Sequence, residues 1–192
     1  MPLYLGWLER RVRELGGIVR IRAIADLADA LAHCPIVVNC TGLGSRELAH
    51  DRELYAIRGQ LVRVAQPSTG ERITQFLLDD HAPEGIAYIV PRSHDVVLGG
   101  TAEEHSEDLA PDAKATAAIR ARCEGLDPRL ENAPRLGVSV GLRPARAAVR
   151  LEAEVPRPGS LLVHDYGHGG AGVTLSWGCA AEVVRLVRAH TS

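Results

Sequence analysis

Three features of this chain could do chemistry: an arginine ahead of a proline, a tyrosine in an aliphatic run, and a glycine-rich turn. Arg143 sits in Gly141-Leu142-Arg143-Pro144-Ala145-Arg146, flanked by apolar residues. Guanidinium is planar and permanently charged, so it can grip a carboxylate through two parallel hydrogen bonds. Arg146 and Arg150 follow closely, and a structural ion pair reads as well for any of the three. Tyr88 lies in Gly85-Ile86-Ala87-Tyr88-Ile89-Val90-Pro91. Its phenol can give one hydrogen bond to a carboxylate, or it can be an ordinary core or edge residue. Finally, His164 to Gly178 reads HDYGHGGAGVTLSWG, with glycines at 167, 169, 170 and 172.

That glycine stretch follows an apolar run, Leu161-Leu162-Val163, and precedes a helical pattern from Val173 to Val187. A strand therefore feeds a turn that opens a helix, with Leu175, Cys179, Val183 and Leu186 on one face. Such a turn aims free N–H groups and the positive end of the helix dipole outward. Gly167-x-Gly169-x-x-Gly172 is a literal GxGxxG, but no second strand and acidic residue follow before Ser192. A tight turn with no ligand is the alternative. His164 and His168 invite a metal reading, yet the turn between them spoils HExxH geometry and no third ligand stands out. No GxSxG elbow exists, and no histidine is tied by context to a serine or cysteine. What remains is a carboxylate clamp facing a glycine turn, which fits chemistry done by a cofactor.

The elements that must position these groups fall into three stretches. Residues 3–15 read as an amphipathic helix, Ile18–Arg22 as a half-exposed strand, Asp26–His33 as a helix and Ile36–Val38 as a buried strand. Thr41-Gly42 turns out of that strand toward a short helix near 45–50. After Arg58-Gly59-Gln60 the texture changes. Leu61–Val64, Ile73–Leu78, Ile86–Val90 and Asp95–Gly99 read as short antiparallel strands. Pro111–Glu124 reads as a helix, and Val138–Leu142 and Val149–Leu151 as two more strands. The layout is α/β, then antiparallel, then α/β again through the glycine turn.

The 192 residues are 46% hydrophobic and 24% charged, enough for a buried core, and the net charge of −2 argues against nucleic acid or an anionic membrane as main partner. No apolar run reaches membrane-spanning length, and no signal peptide is evident. The four cysteines lack CxxC spacing and sit in apolar runs, which predicts buried free thiols and a cytoplasmic location.

Taken together the motifs resemble the D-amino-acid oxidase family of FAD-dependent oxidoreductases. Val38-Asn39-Cys40-Thr41-Gly42, Arg58-Gly59-Gln60, Gly141-Leu142-Arg143-Pro144 and Tyr166-Gly167-His168-Gly169-Gly170-x-Gly172 carry the match in the family's order. Tyr88-Ile89-Val90-Pro91 and Leu98-Gly99-Gly100 add to it. The resemblance implies an α/β fold: an incomplete FAD-binding, Rossmann-like domain with an inserted antiparallel-sheet substrate domain. Residues 1–58 and 159–192 would belong to the FAD-binding part and 59–158 to the substrate domain. The implied catalytic residues are Arg143 on the substrate carboxylate, Tyr88 on the same group, and Gly170, whose carbonyl holds the substrate amine. Gly169, Gly170, Ala171, Gly172, Val173 and Thr174 would pack around the flavin, with Thr41 and Ile24 near the rest of FAD. A helix N-terminus aimed at the flavin would stabilise negative charge developing there.

The implied activity is oxidative deamination of D-amino acids by FAD and molecular oxygen, giving 2-oxo acids, ammonia and hydrogen peroxide. A homodimer is one implied assembly. Two departures qualify that reading. The family's first βαβ unit, with its GxGxxG for the FAD pyrophosphate, has no counterpart here, so the chain reads as truncated. The run before Tyr88 is short, so any lid is reduced. An inactive or partner-complemented fragment is one alternative. A D-aspartate oxidase is another, with His94, Arg92 and Arg146 as candidate cations for the second carboxylate.

Overall fold

Strict alternation along two long strands organises the molecule. The computed structural model describes residues 2–68, 70–81 and 85–191. In chain order the helices are α1 (Pro2–Glu14), α2 (Leu27–His33), α3 (Ser45–Leu48), α4 (Ala113–Leu126) and α5 (Gly172–Thr191). The strands are β1 (Ile36–Asn39), β2 (Tyr55–Ala65), β3 (Leu77–Asp79), β4 (Ala87–Pro91), β5 (Asp95–Gly99), β6 (Glu103–Glu104), β7 (Arg135–Glu154) and β8 (Leu161–His168). Capping carboxylates set two helix starts. Asp26 accepts from the Ala28 amide, and Asp112 accepts from Lys114 and Ala115, satisfying otherwise orphaned donors.

All eight strands join one sheet in the order β1-β8-β7-β2-β5-β4-β3, with β6 added beside β2. Only β1 and β8 run parallel; the remaining pairs are antiparallel. Period-2 alternation then sorts the side chains onto two faces. On one face Val62, Val64, Ile89, Val96 and Leu98 meet Ile119 and Cys123 of α4 in a dry core. Burying a side chain such as Ile119 fully contributes roughly 1.5–3 kcal/mol. Further along the same face of β2, Arg58 and Gln60 are buried but satisfied. Arg58 donates to the Asp108 and Ala110 carbonyls and to Glu103, while Gln60 donates to Asp112 and Thr116. The two side chains thereby strap the 101–112 segment onto the sheet. The opposite face of β2 carries Ile57, Gly59 and Leu61, in register with Arg143, Gly141 and Ser139 of β7. Leu61 is opposite Gly99 of β5, and Gly99 is opposite Tyr88 of β4. Alternation alone thus puts Arg143 and Tyr88 on the face away from α4.

A second cluster lies at the β1–β8 end, where Leu27 and Leu31 of α2 pack on Leu162 and Val37. Several sequence expectations need correction here. Ile18–Arg22 forms no strand, because no ladder partner lies beside it among the described residues. The strand expected over Ile73–Leu78 shrinks to β3: Gln66 bonds both the amide and the carbonyl of Ile73, replacing a ladder neighbour. The two strands expected at Val138–Leu142 and Val149–Leu151 are one, β7. It serves β2 up to Ala145 and then, past an irregularity, serves β8. Strand β1 finds its parallel partner in β8 rather than in a preceding strand. Of the four free cysteines, Cys123 and Cys179 are buried while Cys34 and Cys40 are exposed. None of the described helices is long and apolar enough to cross a membrane.

Candidate active site

Two glycines make room for the clamp. A Cβ at Gly59 would overlap the Arg143 guanidinium, and a Cβ at Gly99 would overlap the Tyr88 ring. The arginine therefore lies down across β2 and the tyrosine across β5, and they converge over the sheet between them. The guanidinium approaches the phenol hydroxyl and donates to the Thr101 carbonyl at 3.3 Å. Burial pushes the Tyr88 phenol up, and the neighbouring guanidinium offsets only part of that rise. The hydroxyl consequently keeps its proton and can donate to an acceptor. Gly170 completes the group: a Cβ added there would stand 3.9 Å from Arg143 Cδ.

The charge balance separates the three arginines of β7. Arg146 binds Asp51 at 3.0 Å and Glu53 at 2.7 Å. Arg150 binds Glu152 and Glu154, each at 2.6 Å, and donates to the Tyr166 hydroxyl at 2.8 Å. Tyr166 in turn donates to Asp51 at 2.8 Å. These two arginines are structural. Among the described residues, no carboxylate forms an ion pair with half-buried Arg143. A partly desolvated cation without a counter-ion is costly unless something anionic occupies the space beside it.

The glycine turn is a single 3₁₀ turn, Gly169–Ala171, leading directly into α5. It rests on β2 and β7, where a Cβ at Gly169 would meet Ala145 at 3.6 Å and Ile57 at 3.9 Å. Gly169 has φ of +54°, a conformation that glycine adopts without strain. His168 at its N-cap makes no side-chain capping bond, and Gly170, Ala171, Val173 and Thr174 are exposed while Gly172 is half-buried. Bare backbone, an uncapped helix start and exposed Val173 suit the edge of a flat ring carrying negative charge. This is the fit that FAD requires of these residues. Thr41 is less free, since its hydroxyl is engaged by Asn39 at 2.7 Å and Ser45 at 2.8 Å. Its neighbour Gly42, φ +56°, lies against Pro144, with 3.3 Å left for a Cβ. The Thr41 turn thus joins the same region as Arg143. Ile24 does not: it lines a separate cleft with Arg22, Asp29 and His33. The glycine floor and Thr101 were not singled out as site residues from sequence. The signal was present in Arg58-Gly59-Gln60 and Leu98-Gly99-Gly100, where alternation places the first two glycines opposite the core face.

The chain belongs to the DAO family of FAD dependent oxidoreductases, whose match extends over residues 1–186. It is 48% identical to a D-amino-acid oxidase of Rubrobacter xylanophilus, over 100% of this chain and 58% of that protein. It is 42% identical to a D-aspartate oxidase of Homo sapiens, over 97% of this chain and 53% of that protein. The chain therefore spans little more than half the length of these curated relatives. Its fold is similar to that of glycine oxidase from Geobacillus kaustophilus, with a TM-score of 0.69 and 24% identity over 80% of this chain and 41% of that one.

Proposed function

We propose that this chain contributes the substrate side of an FAD-dependent D-amino-acid oxidase. The observation that carries the reading is Arg143: half-buried, unpaired with any carboxylate among the described residues, and adjacent to both the Tyr88 hydroxyl and Gly170. Arg143 takes the substrate carboxylate bidentately, and Tyr88 donates a further hydrogen bond to it. The Gly170 carbonyl accepts from the substrate amine. These contacts fix the Cα–H bond in one orientation and hold the reacting atoms at short range. Gly169 to Thr174, with Thr41, would hold the flavin. When bound, FAD supplies two-electron oxidation of the substrate Cα–N bond with oxygen as acceptor, giving an imino acid that hydrolyses to a 2-oxo acid and ammonia, plus hydrogen peroxide. The amides at the start of α5 stabilise negative charge in front of them as a preorganised dipole. Losing one donor of that kind costs about 2.7–4 kcal/mol of barrier in oxyanion-type sites.

Neutral side chains fit the surroundings better than D-aspartate. Arg92 is chelated by Asp95, Arg146 by Asp51 and Glu53, and His94 lies beside Asp95. Both arginines of that set are already paired with carboxylates, and His94 is exposed. The same proposal divides the chain into a flavin-binding part, residues 1–58 and 159–192, and a substrate part, residues 59–158, and includes a homodimer and a cytoplasmic location.

A second reading, in which a complementing polypeptide is required, is favoured by the free edge of β1 and the exposed apolar residues Leu5, Val173 and Trp177. One experiment separates the two. The purified chain is mixed with FAD and D-alanine or D-aspartate, alone or co-expressed with a segment bearing a GxGxxG βαβ unit. Peroxide from the chain alone with D-alanine supports the first reading. Peroxide only after complementation supports the second. Peroxide in neither sinks both.

A further inference from the structure

Strand β8 carries a second polar cluster, on a different set of side chains from the clamp. Leu162, His164 and Tyr166 point toward α2 and the Asp51 network, as their packing and hydrogen bonds show. Asp165 alternates to the other face, where α5 crosses and brings Cys179 down beside it. His168, at the end of β8, turns its Nε2 toward both. That nitrogen lies 3.2 Å from Asp165 Oδ1 and 3.4 Å from Cys179 Sγ, and the three ligand atoms all stand within 4.8 Å of one another.

We propose that Asp165, His168 and Cys179 form a binding site for one zinc-class divalent cation, which clips the first turns of α5 to the end of β8. Hydrogen bonding accounts poorly for the cluster. A single imidazole nitrogen faces two neighbours at once, and one N–H cannot be directed at both. The Cys179 thiol hydrogen-bonds the Asp165 carboxylate, yet Asp165 Oδ1 itself is buried without a well-formed hydrogen bond, although His168 is close enough to give one. An orphaned buried carboxylate oxygen costs free energy. A cation in the middle of the triangle satisfies all three atoms together. Tetrahedral zinc, with bonds of about 2.0–2.3 Å, spaces its ligands roughly 3.3–3.7 Å apart, close to the two distances observed. Imidazole, thiolate and carboxylate together suit zinc or cobalt, while thiolate argues against magnesium and calcium. Three protein ligands leave the fourth position to water.

The site explains a packing feature. Of the apolar-face residues of α5, only Cys179 is buried, so the helix is held to β8 by little hydrophobic contact near its start. A metal there would fix the helix that carries Gly169 to Thr174. Cysteine binds a metal as thiolate, so binding expels the Cys179 proton and tightens as pH rises. The proposal stands whether or not the chain binds a flavin.

The test uses the full chain with Cys34→Ser and Cys40→Ser, which removes the exposed thiols and leaves Cys123 and Cys179. Cobalt(II) chloride is titrated and followed by absorption. The expected result is one equivalent bound, with a thiolate-to-cobalt charge-transfer band and visible d–d bands of a tetrahedral site. Cys179→Ser should abolish the charge-transfer band, and His168→Gln should weaken binding at least about tenfold. Absence of the band in the background protein, or its survival in Cys179→Ser, overturns the proposal. Alkylation mapped by peptide mass covers the case in which a variant fails to fold. Zinc chloride should protect Cys179 and leave the Cys123 rate unchanged, and equal rates at Cys179 with and without zinc also overturn it.

Discussion

Arg143 and Arg146 are three positions apart on one strand, and they make opposite predictions. Arg143 has no carboxylate to lose, so Arg143→Met should leave the denaturant midpoint nearly unchanged. It should weaken binding of a simple carboxylate to FAD-loaded protein by about 2 kcal/mol, roughly thirtyfold, measured by calorimetry. Arg146→Met strips the guanidinium from Asp51, a carboxylate with a 4% exposed side chain. Leaving that charge under-compensated should cost about 3 kcal/mol of stability, read from urea unfolding. Titration adds a second residue-scale expectation. Burial, then the Arg150 charge, hold the His164 imidazole below its usual range. Asn39 Nδ2 lies 3.2 Å from His164 Nδ1 and donates to it, so the ring proton sits on Nε2. The unfolded chain therefore binds a proton near pH 6.5 that the folded one refuses, and stability falls as pH drops below about 6.5. Asp51 follows at lower pH. Burial opposes its ionisation, but the Tyr166 hydroxyl, the Glu53 amide and two guanidiniums outweigh it and hold the carboxyl low. Its contribution is present above roughly pH 4 and disappears as pH falls through the folded value. Unfolding midpoints against pH should show both steps, and His164→Gln should erase only the upper one.

At the scale of elements, the sheet separates stability from binding by which glycine is filled. In Gly99→Ala the new methyl overlaps the Tyr88 ring, which is flanked by strands and cannot swing aside cheaply. Overpacking of that kind costs about 1–3 kcal/mol and should appear in the unfolding midpoint. Gly59→Ala meets only the tip of the Arg143 side chain, a flexible end that can move away. Stability should change by no more than about 0.5 kcal/mol, while carboxylate affinity should drop about tenfold because the guanidinium is displaced. If both variants behaved alike, the glycine floor would not be what positions the clamp.

The molecule as a whole presents a clear asymmetry. The α4 face of the sheet is dry and closed, whereas α1 and α5 leave an apolar groove of about 290 Å³ lined by Tyr4, Leu5, Leu8, Val173 and Trp177. Trp177 is 64% exposed, with its indole N–H donating to Tyr4 at 2.9 Å. Uncovered apolar surface of this kind binds hydrophobic dyes. We expect strong dye fluorescence that falls by more than about half in Leu5→Glu/Val173→Glu without loss of helical circular dichroism. Unchanged fluorescence would locate the exposed surface elsewhere.

Much of this was readable in linear order. Local pattern found each α-helix among the described residues, most strands and the strand–turn–helix at Gly167–Gly172, because those patterns depend on neighbours a few residues apart. The residue types of the clamp were equally visible in Tyr88 and Arg143. Pairing was not. Arg143, Arg146 and Arg150 look equivalent in sequence. Only the folded sheet carries Asp51 and Glu53 to the second and Tyr166 to the third, whose glutamate partners lie two and four residues away on its own strand, while among the described residues the first is left without a counter-ion. The same holds for His168, whose neighbour Cys179 arrives from the next helix, and for Ile18–Arg22, which has strand chemistry but no adjacent strand among the described residues. An ion pair, a ligand set or a ladder is a relation between distant stretches of chain, and its energy depends on a separation that only the folded backbone fixes.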